Sequence, residues 1–132
     1  MLIAYRGILP QVAVDAYVAP TATVIGDVQI GSEAGIWFGV ILRGDVNAIR
    51  IGRRTNLQDG TIVHVTSGTH PTVIGEHSLV ASGSLVVPGT IVPPRSLVIG
   101  SPARVKRILN EQEEEHLEQL AARYVAYRLD YL

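Results

Sequence analysis

Aliphatic residues recur along the chain with a period of six. Val18, Val24, Ile30, Ile36 and Leu42 stand at every sixth position, and Ala22, Val28, Ala34 and Val40, four residues after the first four of them, are small or β-branched. The pattern slips by three residues and resumes at Ile51, Leu57 and Val63, with Thr55 and Thr61 in the small position. It slips by five across residues 66–71, then runs through Ile74, Val80, Val86, Val92 and Val98 with Ser78, Ser84, Thr90 and Ser96 beside them. Six is too long for strand alternation and does not match the helical turn, so each unit is a short strand plus a corner. Three units close one triangular coil of about 18 residues, the hexapeptide signature of a parallel β-helix. Twelve units from Val18 to Val92 predict about four coils. At the usual strand spacing of roughly 4.8 Å they form a prism about 20 Å tall.

From Pro102 the pattern changes. Asn110 precedes Glu111, with Glu113 three residues on as in a capping box, and the acidic run Glu113 to Glu115 suits the positive end of a helix dipole. Leu117, Leu120, Ala121, Tyr124, Val125 and Arg128 then fall at helical spacing. This predicts a single domain over residues 1–132, with a β-helix over about 12–104 and a helix over about 111–130. The helix is expected to fold back along the prism or onto a neighbour, its glutamates forming a solvated first turn.

Composition agrees with stacked strands. The chain holds one Trp, five Tyr and one Phe in 132 residues, so its core must be built from small branched side chains. A net charge of -1 and a pI near 6.4 offer no basic excess for nucleic acid or an anionic membrane. The absence of Cys removes disulfides, thiolate ligands and Cys nucleophiles, leaving His, Asp, Glu and amide oxygen for any metal. No basic segment followed by a sustained apolar stretch opens the chain, and nowhere do 18 apolar residues run together, so a cytoplasmic protein without a membrane span is expected.

The repeat also stacks residues without a structure. Leu42, Val63 and Val86 fall on one corner of successive coils, so Arg43, His64 and Val87, which follow them, form an outward ladder. Gln58 falls one face earlier, between Trp37 and Ala81. Asn56, Gln58, Asp59 and His64 are therefore expected at one coil level, within reach of a common surface. Corner Asn and Asp residues also hydrogen-bond the turn backbone, and that structural role is open for each of them singly.

Taken jointly, Arg43-Gly-Asp45, Asn56-Leu-Gln58-Asp59-Gly60 and His64, with the closing Pro93-Pro-Arg-Ser-Leu-Val-Ile-Gly-Ser-Pro-Ala-Arg104 and the helix, resemble the γ-class carbonic anhydrases over nearly the whole chain. The resemblance implies left-handed β-helices assembled as homotrimers, with zinc or another divalent metal held by three histidines between neighbouring subunits. It matches His64 to the first metal ligand, Gln58 to the residue that hydrogen-bonds metal-bound solvent, and Asn56 to the residue that orients that Gln. Arg43 and Asp59 match an intersubunit salt bridge, and Asp45 a further polar residue at that interface.

The departure is equally specific. The family's other two ligands form a His-x4-His unit about one coil after the first, and Ser82 and Val87 stand at those positions here. Beyond Ile74 the sequence is more similar to the family's last coils, as though about two coils had been left out with the period kept, the one large deletion a solenoid absorbs. Of the remaining histidines, His70 lies in the loop before Pro71, His77 in the coil above and His116 on the helix; His70 and His77 are the candidate substitute ligands. Three functions are thereby expected. One is carbon dioxide hydration at an incomplete metal site, weak or lost. The second is a non-catalytic trimeric scaffold or assembly subunit. The third is a hexapeptide acyltransferase.

Overall fold

The computed structural model describes residues 1–130; the side chains of Tyr124, Val125 and Arg128, expected on the apolar helix face, lie outside the described residues. Short strands stack into three walls. The first holds β3 (Tyr17–Val18), β5 (Gly35–Ile36), β7 (Asn56–Leu57), β10 (Leu79–Val80) and β13 (Ser96–Gly100), in register Val18, Ile36, Leu57, Val80, Val98. The second holds β1 (Leu2–Ile3), the first half of β4 (Thr23–Ile30), the first half of β6 (Ile41–Ile51), β8 (Ile62–Val63) and β11 (Leu85–Val86), in register Leu2, Val24, Leu42, Val63, Val86. The third holds β2 (Gln11–Val12), the far ends of β4 and β6, β9 (Thr72–Ile74) and β12 (Ile91–Val92), in register Val12, Ile30, Ile51, Ile74, Val92. All these pairings are parallel, making a β-solenoid of about five turns. That is one turn more than the expected four, because Val12 opens the third wall and Leu2 caps the second.

The inward aliphatics are the core. Val24, Ile36, Leu42, Leu57, Val63, Ile74, Val80 and Val86 are completely buried. The two slips in the period differ: the first is a bulge within β6, the second a loop after β8. Gly26 pairs with Gly44 but Val28 with Ile49, so three extra residues follow Gly44, and the five extra residues between Ile51 and Ile74 fall in the loop after β8.

The small position explains itself. It changes from Ala and Val in the early coils to Thr and Ser later, and the buried hydroxyls donate to nearby carbonyls: Thr55 to Gly75 at 2.9 Å, Ser84 to Ala81 at 2.6 Å, Ser96 to Pro93 at 2.7 Å. A hydroxyl buried without such an acceptor would be costly, so the substitution is tolerated only because the corner carbonyls are there. At the corner that Thr55 closes, Gly31, Gly52 and Gly75 stack. A Cβ on Gly75 would lie 2.5 Å from the backbone nitrogen of Pro94, so the coils approach too closely for any side chain.

Past the last coil, β14 (Ala103–Ile108) turns back and pairs antiparallel with β13. The expected β-helix boundary near 104 therefore falls inside this strand, which the six-residue period does not register. Helix α1 (Glu111–Asp130) follows. Its start is the expected capping box: Asn110 Oδ1 accepts from the Glu113 N–H at 2.8 Å, and Glu113 Oε1 accepts from the Asn110 N–H at 3.0 Å. Leu117 and Ala121 are buried, and Arg95–Glu114 at 2.9 Å and Arg54–Glu118 at 3.5 Å tie the helix to the solenoid wall.

Arg107, donating to Glu113 at 2.5 Å and 2.9 Å, holds that carboxyl down to about 2 from 4.5, helped by the Asn110 N–H. A depressed folded-state pKa means the contribution is complete above pH 4.5 and lost as pH falls toward 2. The helix start should therefore loosen over that interval. In Arg107→Ala the Glu113 titration, followed by carboxyl NMR, should return toward 4.5; a titration that stays near 2 would show that Arg107 is not its cause.

Candidate functional site

Asn56 sits in β7 with 2% of its surface exposed, and its neighbour Leu57 points into the core. Alternation along the short strand and the following corner then brings Gln58 and Asp59 to the outside, half-buried and exposed. The three line one cleft of about 340 Å³ with Trp37, Ser82, Leu120 and Tyr127. The column reading holds here. Ile36, Leu57 and Val80 are in register, so Trp37, Gln58 and Ala81 follow one above another, with Ser82 next to them. The Trp37 ring is packed on Tyr17 at 4.9 Å between centroids, which fixes one wall.

The helix supplies the other wall through Leu120 and Tyr127. Neither was singled out as a site residue from the sequence. Their seven-residue separation puts them on one helix face, which is the signal that locates them once the helix is known to fold back.

His64 is not among the residues lining this cleft. It follows β8 on the neighbouring wall, while Gln58 and Ser82 follow β7 and β10. The expected common surface thus unites Asn56, Gln58 and Asp59 but not His64 within one chain. At its own corner His64 meets Arg43: Leu42 and Val63 are paired, and the Arg43 Nη2 donates to His64 Nε2 at 2.5 Å. Arg43 Nε lies 3.4 Å from Asp45 Oδ2, and Asp45 Oδ1 accepts the N–H of Val46 at 2.8 Å. Val87 takes the place above His64, as Val63 pairs with Val86 and the His64 N–H reaches the Val86 carbonyl at 3.1 Å. Arg43 and Asp59 are not paired within the chain; the guanidinium has five donors, of which Asp45 and His64 engage two.

The other histidines lie apart. His70 is exposed in the loop before β9, where Asn47 Nδ2 donates to the Thr66 and Thr69 carbonyls at 3.2 Å and 2.7 Å and stitches the loop together. His77 occupies a corner with a φ of 56°, and His116 is exposed on the helix. Among the described residues no three His, Asp or Glu side chains come together as a metal-holding group. Catalytic zinc takes three protein ligands and one open position. At this corner the chain offers one imidazole, His64, whose Nε2 lone pair is engaged by Arg43, and among the described residues no two further His, Asp or Glu side chains join it as a metal-holding group, so the donor set at this corner of one chain does not fit such a metal.

No family model matches the chain. It is similar to gamma carbonic anhydrase 1, mitochondrial, of Arabidopsis thaliana, at 35% identity over 155 aligned residues that take in 87% of this chain and 56% of that one. The chain thus spans little more than half of that relative's length. It is 35% identical to a carbonic anhydrase of Geobacillus kaustophilus over 159 aligned residues, 95% of this chain and 87% of the other. Since 95% of 132 residues is about 125, roughly 34 of those 159 positions have no residue here, close to the two coils expected to be missing. Among solved structures, a hexapeptide transferase family protein from Anaplasma phagocytophilum superposes with a TM-score of 0.64 at 34% identity, covering 99% of this chain and 98% of that one. Both bacterial matches run along nearly the whole chain at 34–35% identity, and the parallel solenoid is the architecture of hexapeptide-repeat proteins, so the chain belongs to the γ-class carbonic anhydrase-like hexapeptide-repeat family.

Proposed function

We propose that this chain is a trimer-forming family member that keeps the assembly surface but not the metal-dependent hydration of carbon dioxide. What supports the reading is that His64 is already bonded to Arg43, while Ser82 and Val87 stand where the resemblance puts the other two ligands. Hydration at neutral pH needs hydroxide, and a metal with three ligands supplies it by lowering the pKa of bound water from 15.7 to about 7. Gln58, a neutral carboxamide, positions a solvent molecule through its N–H and carbonyl groups but does not ionise it. Asn56, buried in β7, supports the wall from which Gln58 projects.

An apolar ladder supports the assembly part. Ile41 and Ile62 are 37% and 38% exposed, stand in register with half-buried Leu85, and adjoin Arg43, His64 and Val87 on the second wall. A continuous aliphatic strip bordered by charge is a surface suited to packing against another protomer. Asp45 and Asp59 are then interface groups, with the free donors of Arg43 directed to the partner's carboxylate.

The expected result is a particle of three 14.2 kDa chains by light scattering, with zinc far below one per chain by elemental analysis and no change in mass on adding EDTA. Stoichiometric zinc, with hydration activity that His64→Ala abolishes, would overturn the metal-free reading, and a monomer would overturn the assembly. The transferase name of the structural neighbour favours a second reading, acyl transfer; micromolar binding of an acyl-coenzyme A thioester would establish it over the first.

A further inference from the structure

The His64 corner holds a cation of its own. Arg43 precedes His64 by one coil on the same column, its Nη2 at 2.5 Å from Nε2, and its Nε faces Asp45 at 3.4 Å. Asp45 is itself fixed by the Val46 N–H, so carboxylate, guanidinium and imidazole form a chain built by two neighbouring coils. We propose that Arg43, besides its interface role, occupies with one N–H the His64 nitrogen that a divalent metal would take, so that the corner is held together by an internal cation. The inference rests on the metal-free reading above.

The chemistry is exclusive. Neutral imidazole has one in-plane lone pair, and the nitrogen that carries it either accepts a hydrogen bond or binds a metal. Accepting from Arg43 at Nε2 puts the ring proton on Nδ1. A guanidinium stays charged in proteins, so it does not vacate the site by losing a proton, as a lysine can. Asp45 acts as the positioning residue: it orients the planar fork so that a second donor is directed at His64. Val87, directly above, adds no competing polar group.

Long-range proton–nitrogen NMR of the full chain tests this, with the His64 ring assigned by comparison with His64→Gln. The expected wild-type ring is protonated on Nδ1 with a bare Nε2. In Arg43→Ala it should shift toward the Nε2–H form, and added Ni2+ should bind about tenfold more tightly, since one charge-assisted hydrogen bond no longer competes. Should Arg43→Ala not fold, Asp45→Asn loosens the fork while leaving it in place, and should move the ring and the Ni2+ affinity in the same direction. A wild-type Nε2 that carries a proton without zinc, or a ring unchanged in the folded variant, overturns this inference alone. Zinc on the wild-type Nε2 overturns it together with the metal-free reading.

Discussion

A chain carrying Ser82→His and Val87→His together is expected to bind close to one zinc per protomer, where the parent binds far less. The expectation combines register with assembly. Val87 stacks on His64 at one strand spacing, about 4.8 Å, near enough for two imidazoles on one column to share an ion. Ser82 follows a different wall and lies in the Gln58 cleft, so its imidazole would complete the set only where that cleft of one protomer meets the His64 corner of the next. Arg43 must yield, and the magnitudes favour this. A charge-assisted hydrogen bond contributes about 1.5–3 kcal/mol. A full zinc site in a small domain is worth about 10–16 kcal/mol. Either substitution alone gives two imidazoles and should leave zinc substoichiometric. Zinc would also raise the unfolding temperature, since a ligand at a hundred times its Kd stabilises by about 2.7 kcal/mol. A folded, trimeric double variant with no more zinc than its parent would show that positions 82 and 87 are not where the ligands belong.

That experiment can be written down because the solenoid makes distant contacts legible. Leu42, Val63 and Val86 are separated by 21 and 23 residues, yet the period alone stacked them, since each coil must bury one aliphatic per wall and the inserted residues are visible as slips. The Gln58 column was readable for the same reason. What escaped the period are the parts that do not repeat. β14 returns antiparallel over β13, and its residues Arg104 to Ile108 are exposed, so no buried pattern announces it. The count of four coils starts at Val18 and leaves out the first turn, although Val12, six residues earlier and followed by Ala16, fits the same period and the expected β-helix already reached residue 12; Leu2, ten residues before Val12, falls outside the period. Placing His64 on the Gln58 surface failed for a geometric reason: a residue six positions on has turned one corner of the triangle, so a shared coil level is not a shared face.

The roughly 34 aligned positions of the Geobacillus relative that have no residue here amount to about two coils, and a difference of whole coils affects fold and site differently. Each coil contacts only the one above and the one below, so removing whole coils leaves every remaining interface of the same kind. A metal site of the family's kind draws on several coils at once, so on the proposed reading the loss of one ligand-bearing coil would leave Ser82 and Val87 at the level of His64 and remove the chemistry in one step, while stability is kept coil by coil.

Leu57→Ala is expected to lower the unfolding free energy by about 3 kcal/mol, within the 2–5 kcal/mol typical of buried Leu truncation. Leu57 is completely buried between Ile36 below and Val80 above, and with Ile51 and Val63 it fills the triangle of the central coil. The cost should fall in the upper part of that range if the cavity stays open, and the architecture keeps it open. Parallel ladders fix the strand spacing along the axis, and the glycine corner at Gly52 already brings successive backbones to closest approach, so the walls have no slack to move inward. For a domain of this size the midpoint should fall by about 10 °C, measured at one fixed protein concentration because assembly makes it concentration-dependent. A loss under 1 kcal/mol would mean that the coil collapses onto the vacancy. In that case the rigid stacking used above to carry His64, Ser82 and Val87 into register would not hold either.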